Sequence, residues 1–125
     1  MTQALEVYKC GVCGNIVEVI HPGAGELVCC GQPMQSLVAK SDDQGQEKHL
    51  PVVEAASGRV AVAVGSVPHP MTEEHLIEWI ELVTADGALR QFIKPGDDPK
   101  AEFTTGSPVI KVRAYCNVHG LWSTK

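Results

Sequence analysis

The chain has 125 residues, a formal net charge of −5, 44% hydrophobic residues, 20% charged residues, 12 Gly and 8 Pro. That composition excludes wholesale disorder, collagen and a long coiled coil, and the length fits one compact domain or a small domain with an appendage. An acidic chain has no bulk electrostatic reason to bind nucleic acid or an anionic membrane, so any basic site must be local. The uncharged stretch at residues 60–68 falls far short of the ~20 apolar residues of a membrane helix. Residues 1–10 lack a basic start and an apolar core, so no secretory signal is expected and the expected compartment is the reducing cytoplasm.

Four of the five Cys lie in the first 30 residues, at Cys10, Cys13, Cys29 and Cys30. An odd count cannot close into disulfides, and clustered Cys in a reducing compartment more often bind metal. A segment of this length is too short to fold alone without a staple, which a metal would supply. The predicted division is a four-cysteine metal domain at 1–36, a polar connection at 37–46 and a second domain at 47–125. Beyond the connection, strand-like runs at 50–55, 59–64, 76–83, 89–94, 101–105 and 109–116 alternate with turns. The last is the cleanest: Ile110, Val112, Ala114 and Cys116 share one face, and Lys111, Arg113 and Tyr115 the other. Residues 76–83 also fit an amphipathic helix, but their Ile, Trp and Val content and the Asp86-Gly87 hairpin signal favour a strand. Short strands at regular spacing predict an antiparallel β-sandwich.

Cys10-Gly11-Val12-Cys13 is a CxxC knuckle, and Gly11 and Gly14 permit the turn that aims both thiolates at one metal. The second pair, Cys29-Cys30, is adjacent. Successive side chains diverge, so this pair can share a metal only with a distorted S–metal–S angle. Four thiolates suit iron or zinc, and the residues alone leave the two even.

The second segment holds four of the five His (His49, His69, His75 and His119) and the remaining Cys116. Cys116-Asn117-Val118-His119 is a C-x2-H step that lets both side chains reach one ion. The other His are placed at strand ends or in loops, where functional groups concentrate. Singly, each reads as a surface or satisfied polar residue. Together they make a mixed imidazole and thiolate set, which suits Fe(II), and five protein ligands on an octahedral ion leave one position open to a small molecule. His21 fits no such position and reads as a turn residue. Met34, Met71, Trp79 and Trp122 read as packing.

With these blocks in place the sequence resembles desulfoferrodoxin, the two-iron class of superoxide reductase. The CxxC and CC pairs look like the family's desulforedoxin-type centre. Glu47-Lys48-His49-Leu50-Pro51 resembles its EKHxP signature, and Val67-Pro68-His69-Pro70-Met71, His75 and Cys116-Asn117-Val118-His119-Gly120 resemble its other iron-site motifs. The resemblance covers nearly the whole chain. It implies a mainly β fold, with a small desulforedoxin-like (rubredoxin-like) domain followed by an immunoglobulin-like antiparallel β-sandwich. It implies two irons per chain: one held by Cys10, Cys13, Cys29 and Cys30, the other by four equatorial His (His49, His69, His75, His119) with axial Cys116. It also implies one-electron reduction of superoxide to hydrogen peroxide, with Glu47 and Lys48 as the catalytic pair. Lys48 would attract the anion and orient water for protonation, and Glu47 would close the sixth position of ferric iron. A homodimer reduced by rubredoxin or a similar donor completes the expectation. The alternative is a rubredoxin-like electron carrier, a reading that leaves the His and Cys116 set unexplained.

Overall fold

The computed structural model describes residues 1–41 and 49–124. The chain divides into two compact units, Met1–Val38 and Ala39–Lys125.

In the first unit, β1 (Val7–Lys9), β2 (Ile16–Glu18) and β5 (Gln35–Leu37) form an antiparallel sheet of order β2-β1-β5. Two short strands, β3 (Val28–Cys29) and β4 (Gln32–Pro33), form a separate hairpin. Few side chains are buried here, chiefly Val7, Cys10 and Val19. So small an apolar core stabilises little by itself, which makes a metal staple the larger contribution to order. The β1–β2 and β3–β4 turns carry the four thiols.

The second unit is a β-sandwich. One sheet has the order β10-β7-β6, from β6 (Pro51–Ala56), β7 (Arg59–Val64) and β10 (Lys100–Thr104). The other has the order β12-β11-β8-β9, from β8 (Ile77–Thr84), β9 (Gly87–Phe92), β11 (Val109–Cys116) and β12 (Gly120–Ser123). Alternation sets the inner faces. Val60, Val62 and Val64 of β7 and Ala101 and Phe103 of β10 meet Ile80 and Leu82 of β8 and Val112, Ala114 and Cys116 of β11 in one buried cluster. Burial of that apolar area is the main term holding the two sheets together.

The strand favoured over a helix for residues 76–83 is present as β8, Ile77–Thr84. Two sequence expectations shift in detail. The strand expected at 89–94 starts earlier, at Gly87, because β8 pairs with β9 from Thr84 opposite Gly87 across a two-residue turn. Ile110 leaves the core face it was expected to share with Val112 and is 61% exposed. The cause is a register irregularity between Val109 and Lys111, which turns Ile110 outward before alternation resumes.

The outer face of β8 and β11 is buried as well. Glu81, Arg113, Trp79 and Tyr115 are all shielded from solvent. Arg113 Nε donates to Glu81 Oε1 at 2.7 Å, and the Arg90 guanidinium donates to Glu81 Oε2. Arg90 also lies 4.8 Å from the Trp79 ring centroid, and Trp79 stacks on Tyr115. A carboxylate with no solvent exposure is tolerable only because two guanidinium groups surround it.

Candidate metal centres

The first cluster is built by two turns. At the β1–β2 turn, Cys10 N–H donates to Asn15 O at 2.8 Å and Gly14 N–H to Cys10 O at 3.1 Å. Gly14 sits at φ +83°, a conformation natural to glycine. The turn aims the N–H groups of Val12 and Cys13 at Cys10 Sγ, each at 3.4 Å. In the β3–β4 hairpin the two loop residues are Cys30 and Gly31, at φ +53° and +73°. Two successive positive φ values are the signature of a type I′ turn. This left-handed turn answers the divergence expected of neighbouring Cys, since it brings Cys29 Sγ and Cys30 Sγ to 3.9 Å. Cys13 Sγ lies 3.6 Å from Cys29 Sγ. The four sulfurs lie within 4.8 Å of one another.

Charge in this quartet is unevenly held. The N–H groups of Cys13 and Val12 lower the Cys10 thiol to about 6. Hydrogen bonding from Cys13, then Cys29 and Cys10, pushes Cys30 up to about 12. The Cys10 thiolate forms readily while Cys29 and Cys30 resist a second anion at this distance, which is the behaviour of a cluster whose full charge needs a cation.

The second cluster gathers at one end of the sandwich. His49 lies just before β6, His69 and His75 lie in the β7–β8 connection, Cys116 ends β11, and His119 lies in the β11–β12 turn. Gly120, at φ +87°, closes that turn and pairs with Cys116. The turn is tight enough for His119 N–H to donate to Cys116 Sγ at 3.4 Å. The four imidazoles form a closed ring in the order His49, His69, His75, His119. Neighbouring centroids are 4.9, 4.7, 5.0 and 4.8 Å apart, and neighbouring planes cross at 67–82°. Cys116, fully buried, joins the set, and all five offered atoms lie within 4.8 Å of one another.

Ring orientation follows from hydrogen bonds. His69 Nδ1 donates to Pro70 O at 2.7 Å, which leaves its Nε2 as a buried lone pair with no hydrogen-bond partner among the described residues. Burial lowers the His69 imidazolium to about 4, so the ring stays neutral and able to bind a metal. His119 turns Nδ1 inward, 3.1 Å from His49 Nε2 and 3.9 Å from Cys116 Sγ. An orphaned buried lone pair, a buried sulfur and four converging imidazoles fit a borderline cation with mixed N and S donors. His49 and His69 are buried, while His119 is exposed, so one side of the ring faces solvent.

The structure thus brings together all nine Cys and His singled out in the sequence, in two groups. Glu47 and Lys48 lie outside the described residues. His21 belongs to neither group. Sequence reasoning missed Asn117 and Lys40. Asn117 Oδ1 accepts from Leu76 N–H at 3.0 Å and its Nδ2 donates to Glu74 O at 3.1 Å. Trp122, read from the sequence as packing near the site, stacks its ring on His49 at 4.5 Å with planes 14° apart. Met71, also assigned to packing, packs against the core as expected and in addition accepts Ile77 N–H on its sulfur at 3.4 Å.

An all-β chain with a four-thiol hairpin cluster and a cluster of four imidazoles and a thiol at the end of a sandwich defines a class of two-centre metalloprotein. The chain belongs to the desulfoferrodoxin family. The family model for desulfoferrodoxin matches residues 41–125, and that for the desulfoferrodoxin N-terminal domain matches residues 2–37. The chain is 57% identical over 124 residues to a desulfoferrodoxin homolog of Archaeoglobus fulgidus, covering 99% of each. It is 50% identical to the desulfoferrodoxin of Nitratidesulfovibrio vulgaris, covering all of this chain and 99% of that one. A protein called superoxide reductase from Thermococcus kodakarensis is 36% identical over 111 residues, 74% of this chain and 96% of the relative. Among solved structures, the superoxide reductase from Treponema pallidum superposes with a TM-score of 0.80 at 30% identity, with both chains fully covered.

Proposed function

We propose that the chain is a superoxide reductase carrying two irons, one at Cys10, Cys13, Cys29 and Cys30 and one at His49, His69, His75, Cys116 and His119. The observation that carries this reading is the ring of four imidazoles around a buried thiol with one solvent-facing side. Relatives and structural neighbours named superoxide reductase support it. The overall reaction takes one superoxide, one electron and two protons to one hydrogen peroxide. These five side chains would hold the iron, whose bound ferrous form would supply the electron.

The chain's residues do the rest. The His69–Pro70 hydrogen bond and the His49–Trp122 stack hold two imidazoles in fixed orientation, so little reorganisation accompanies a change in charge. The N–H of His119 donates to Cys116 Sγ and fixes the place of that sulfur. The exposed His119 side admits a small anion. For Lys48 the sequence supports a cation that draws superoxide in and orients water for protonation, against a net charge of −5 that would otherwise repel it. For Glu47 it supports a hard carboxylate that would suit ferric iron held by the histidine–cysteine group. The electron donor is a rubredoxin-type carrier, the assembly a homodimer and the location the cytoplasm. No described helix is long and apolar enough to cross a membrane.

The deciding experiment is iron and zinc content per chain after anaerobic purification, followed by superoxide consumption with oxygen evolution monitored. Two irons and superoxide loss without oxygen release are expected. Zinc alone, or iron only at the thiolate centre, would reduce the protein to a carrier or a stapled module. Lys48→Ile is expected to slow the bimolecular step and flatten its salt dependence. Glu47→Ala should leave that step intact and alter the ferric resting spectrum.

A further inference from the structure

Lys40 lies in a stretch whose composition reads as a polar connection, yet its backbone is docked on β12. Its N–H donates to Leu121 O at 2.9 Å, and its carbonyl accepts from Ser123 N–H at 2.8 Å. The side chain is exposed but held at two points. Nζ donates to His119 O at 2.9 Å and lies 5.0 Å from the Trp122 ring centroid. Trp122 in turn stacks on His49. An ammonium that both hydrogen-bonds a carbonyl and rests on an indole has lost much of the freedom an exposed lysine normally keeps. One cation is thereby fixed against His119 and against the indole that stacks on His49. His119, whose carbonyl it binds, is the exposed member of the ring.

The charge balance gives this placement a consequence. The chain is net acidic, and Glu73 and Glu74 are exposed in the connection that carries His75. A small anion approaching the solvent-facing side meets an unfavourable far field. A fixed positive charge within a few ångströms of a ring member offsets that field locally, and because Lys40 is exposed its effect is screened by salt.

We propose that Lys40, seated on Trp122, is an electrostatic guide of the histidine–cysteine centre that strengthens binding of small anions at its open side. This rests on the reading of that centre as an iron site taking superoxide. Lys40 does not touch the reacting atoms; it acts through its field and is a positioning residue. The device needs charge at the end of the side chain and the indole beneath it, and it does not need the backbone docking to change.

The test separates charge from structure by using two probes on the full-length, iron-loaded protein. Azide is titrated into the oxidised protein and nitric oxide into the reduced protein, each followed by absorption and electron paramagnetic resonance. Iron content is measured first. Lys40→Met is expected to weaken azide binding about three- to tenfold at low salt, as for removal of one partly screened charge. The deficit should fade at high salt. Nitric oxide binding should be unchanged, because that ligand is neutral. Lys40→Arg should keep wild-type azide affinity, and Trp122→Phe, which retains a ring against His49, should show an intermediate loss. Unchanged azide affinity in Lys40→Met overturns the proposal, and so does equal weakening of azide and nitric oxide, which would mean a distorted centre. Wild-type protein without iron in the histidine–cysteine group would instead overturn the superoxide reading on which the proposal stands.

Discussion

Asn117 and Leu76 are hydrogen-bonded to one another twice. Leu76 N–H donates to the Asn117 side-chain oxygen at 3.0 Å, and Asn117 N–H donates to Leu76 O at 3.2 Å. With the third bond, from Asn117 Nδ2 to Glu74 O, the residue next to Cys116 grips the backbone on both sides of His75. Two parts of the centre far apart in sequence are thereby set at a fixed separation. Asn117→Ala removes the two side-chain bonds and leaves the backbone one. The expected result is a looser His75 and iron release from the histidine–cysteine group about 10- to 100-fold faster, the usual range for groups that orient metal ligands. Chelator-driven release followed in the absorption bands of each centre checks this, and release from the four-cysteine group, built within the other unit, should not change.

The turn at Gly14 allows a test of backbone conformation alone. Gly14 lies at φ +83°, and a Cβ added there meets nothing within 4 Å. Gly14→Ala therefore costs conformational energy without a clash, about 1 kcal/mol for a left-handed L-residue. The same turn aims two N–H groups at Cys10 Sγ. We expect faster metal loss from the four-cysteine group and an unaltered melting transition for the sandwich, read by calorimetry beside metal release. A shift of both transitions together would contradict the local origin.

How much of this could be read from the chain is clear in particular residues. The CxxC and CC pairs and the C-x2-H step announce chemistry because metals demand those atoms, whatever the fold. Alternation reveals β7 because its one buried face is Val60, Val62 and Val64. Lys40, Asn117 and Glu81 were not legible. Each is an ordinary polar residue whose role depends on a partner distant in sequence: His119, Leu76 and Arg113 respectively. The left-handed Cys30 was hidden for a different reason. Cysteine has no preference for that conformation, and only the two-residue hairpin around it imposes positive φ.

Glu81 predicts a large effect on stability with none on the centres. It is fully buried between Arg113 and Arg90 on the face of β8 opposite the core. Glu81→Ala removes the carboxylate that faces the buried Arg113 and the more exposed Arg90, and breaking a buried pair from one side typically costs about 3–5 kcal/mol. Glu81→Gln keeps an acceptor and should cost less. Urea denaturation of the metal-loaded proteins is the measurement, with both absorption spectra expected to match wild type before unfolding begins. A Glu81→Ala protein as stable as wild type would mean the ion pairs are already offset by their desolvation.

The pH dependence of the metal-free protein follows from His69. Burial lowers its imidazolium from the ordinary 6.5 to about 4. Between those values the unfolded chain takes up a proton at this residue and the folded chain does not. Stability therefore rises with pH across the window: it is fully present above about 6.5 and is lost progressively as pH falls towards 4. One proton corresponds to a slope of about 1.4 kcal/mol per pH unit. His69→Gln, which cannot be protonated, should remove that slope while leaving any contribution from other groups. In the iron-loaded protein the proton must compete with the metal for Nε2, so loss of stability should begin at lower pH. Denaturation midpoints at pH values spaced from about 4.5 to about 6.5, with and without metal, distinguish these cases. A midpoint independent of pH in the metal-free protein would show that His69 is not held neutral by burial.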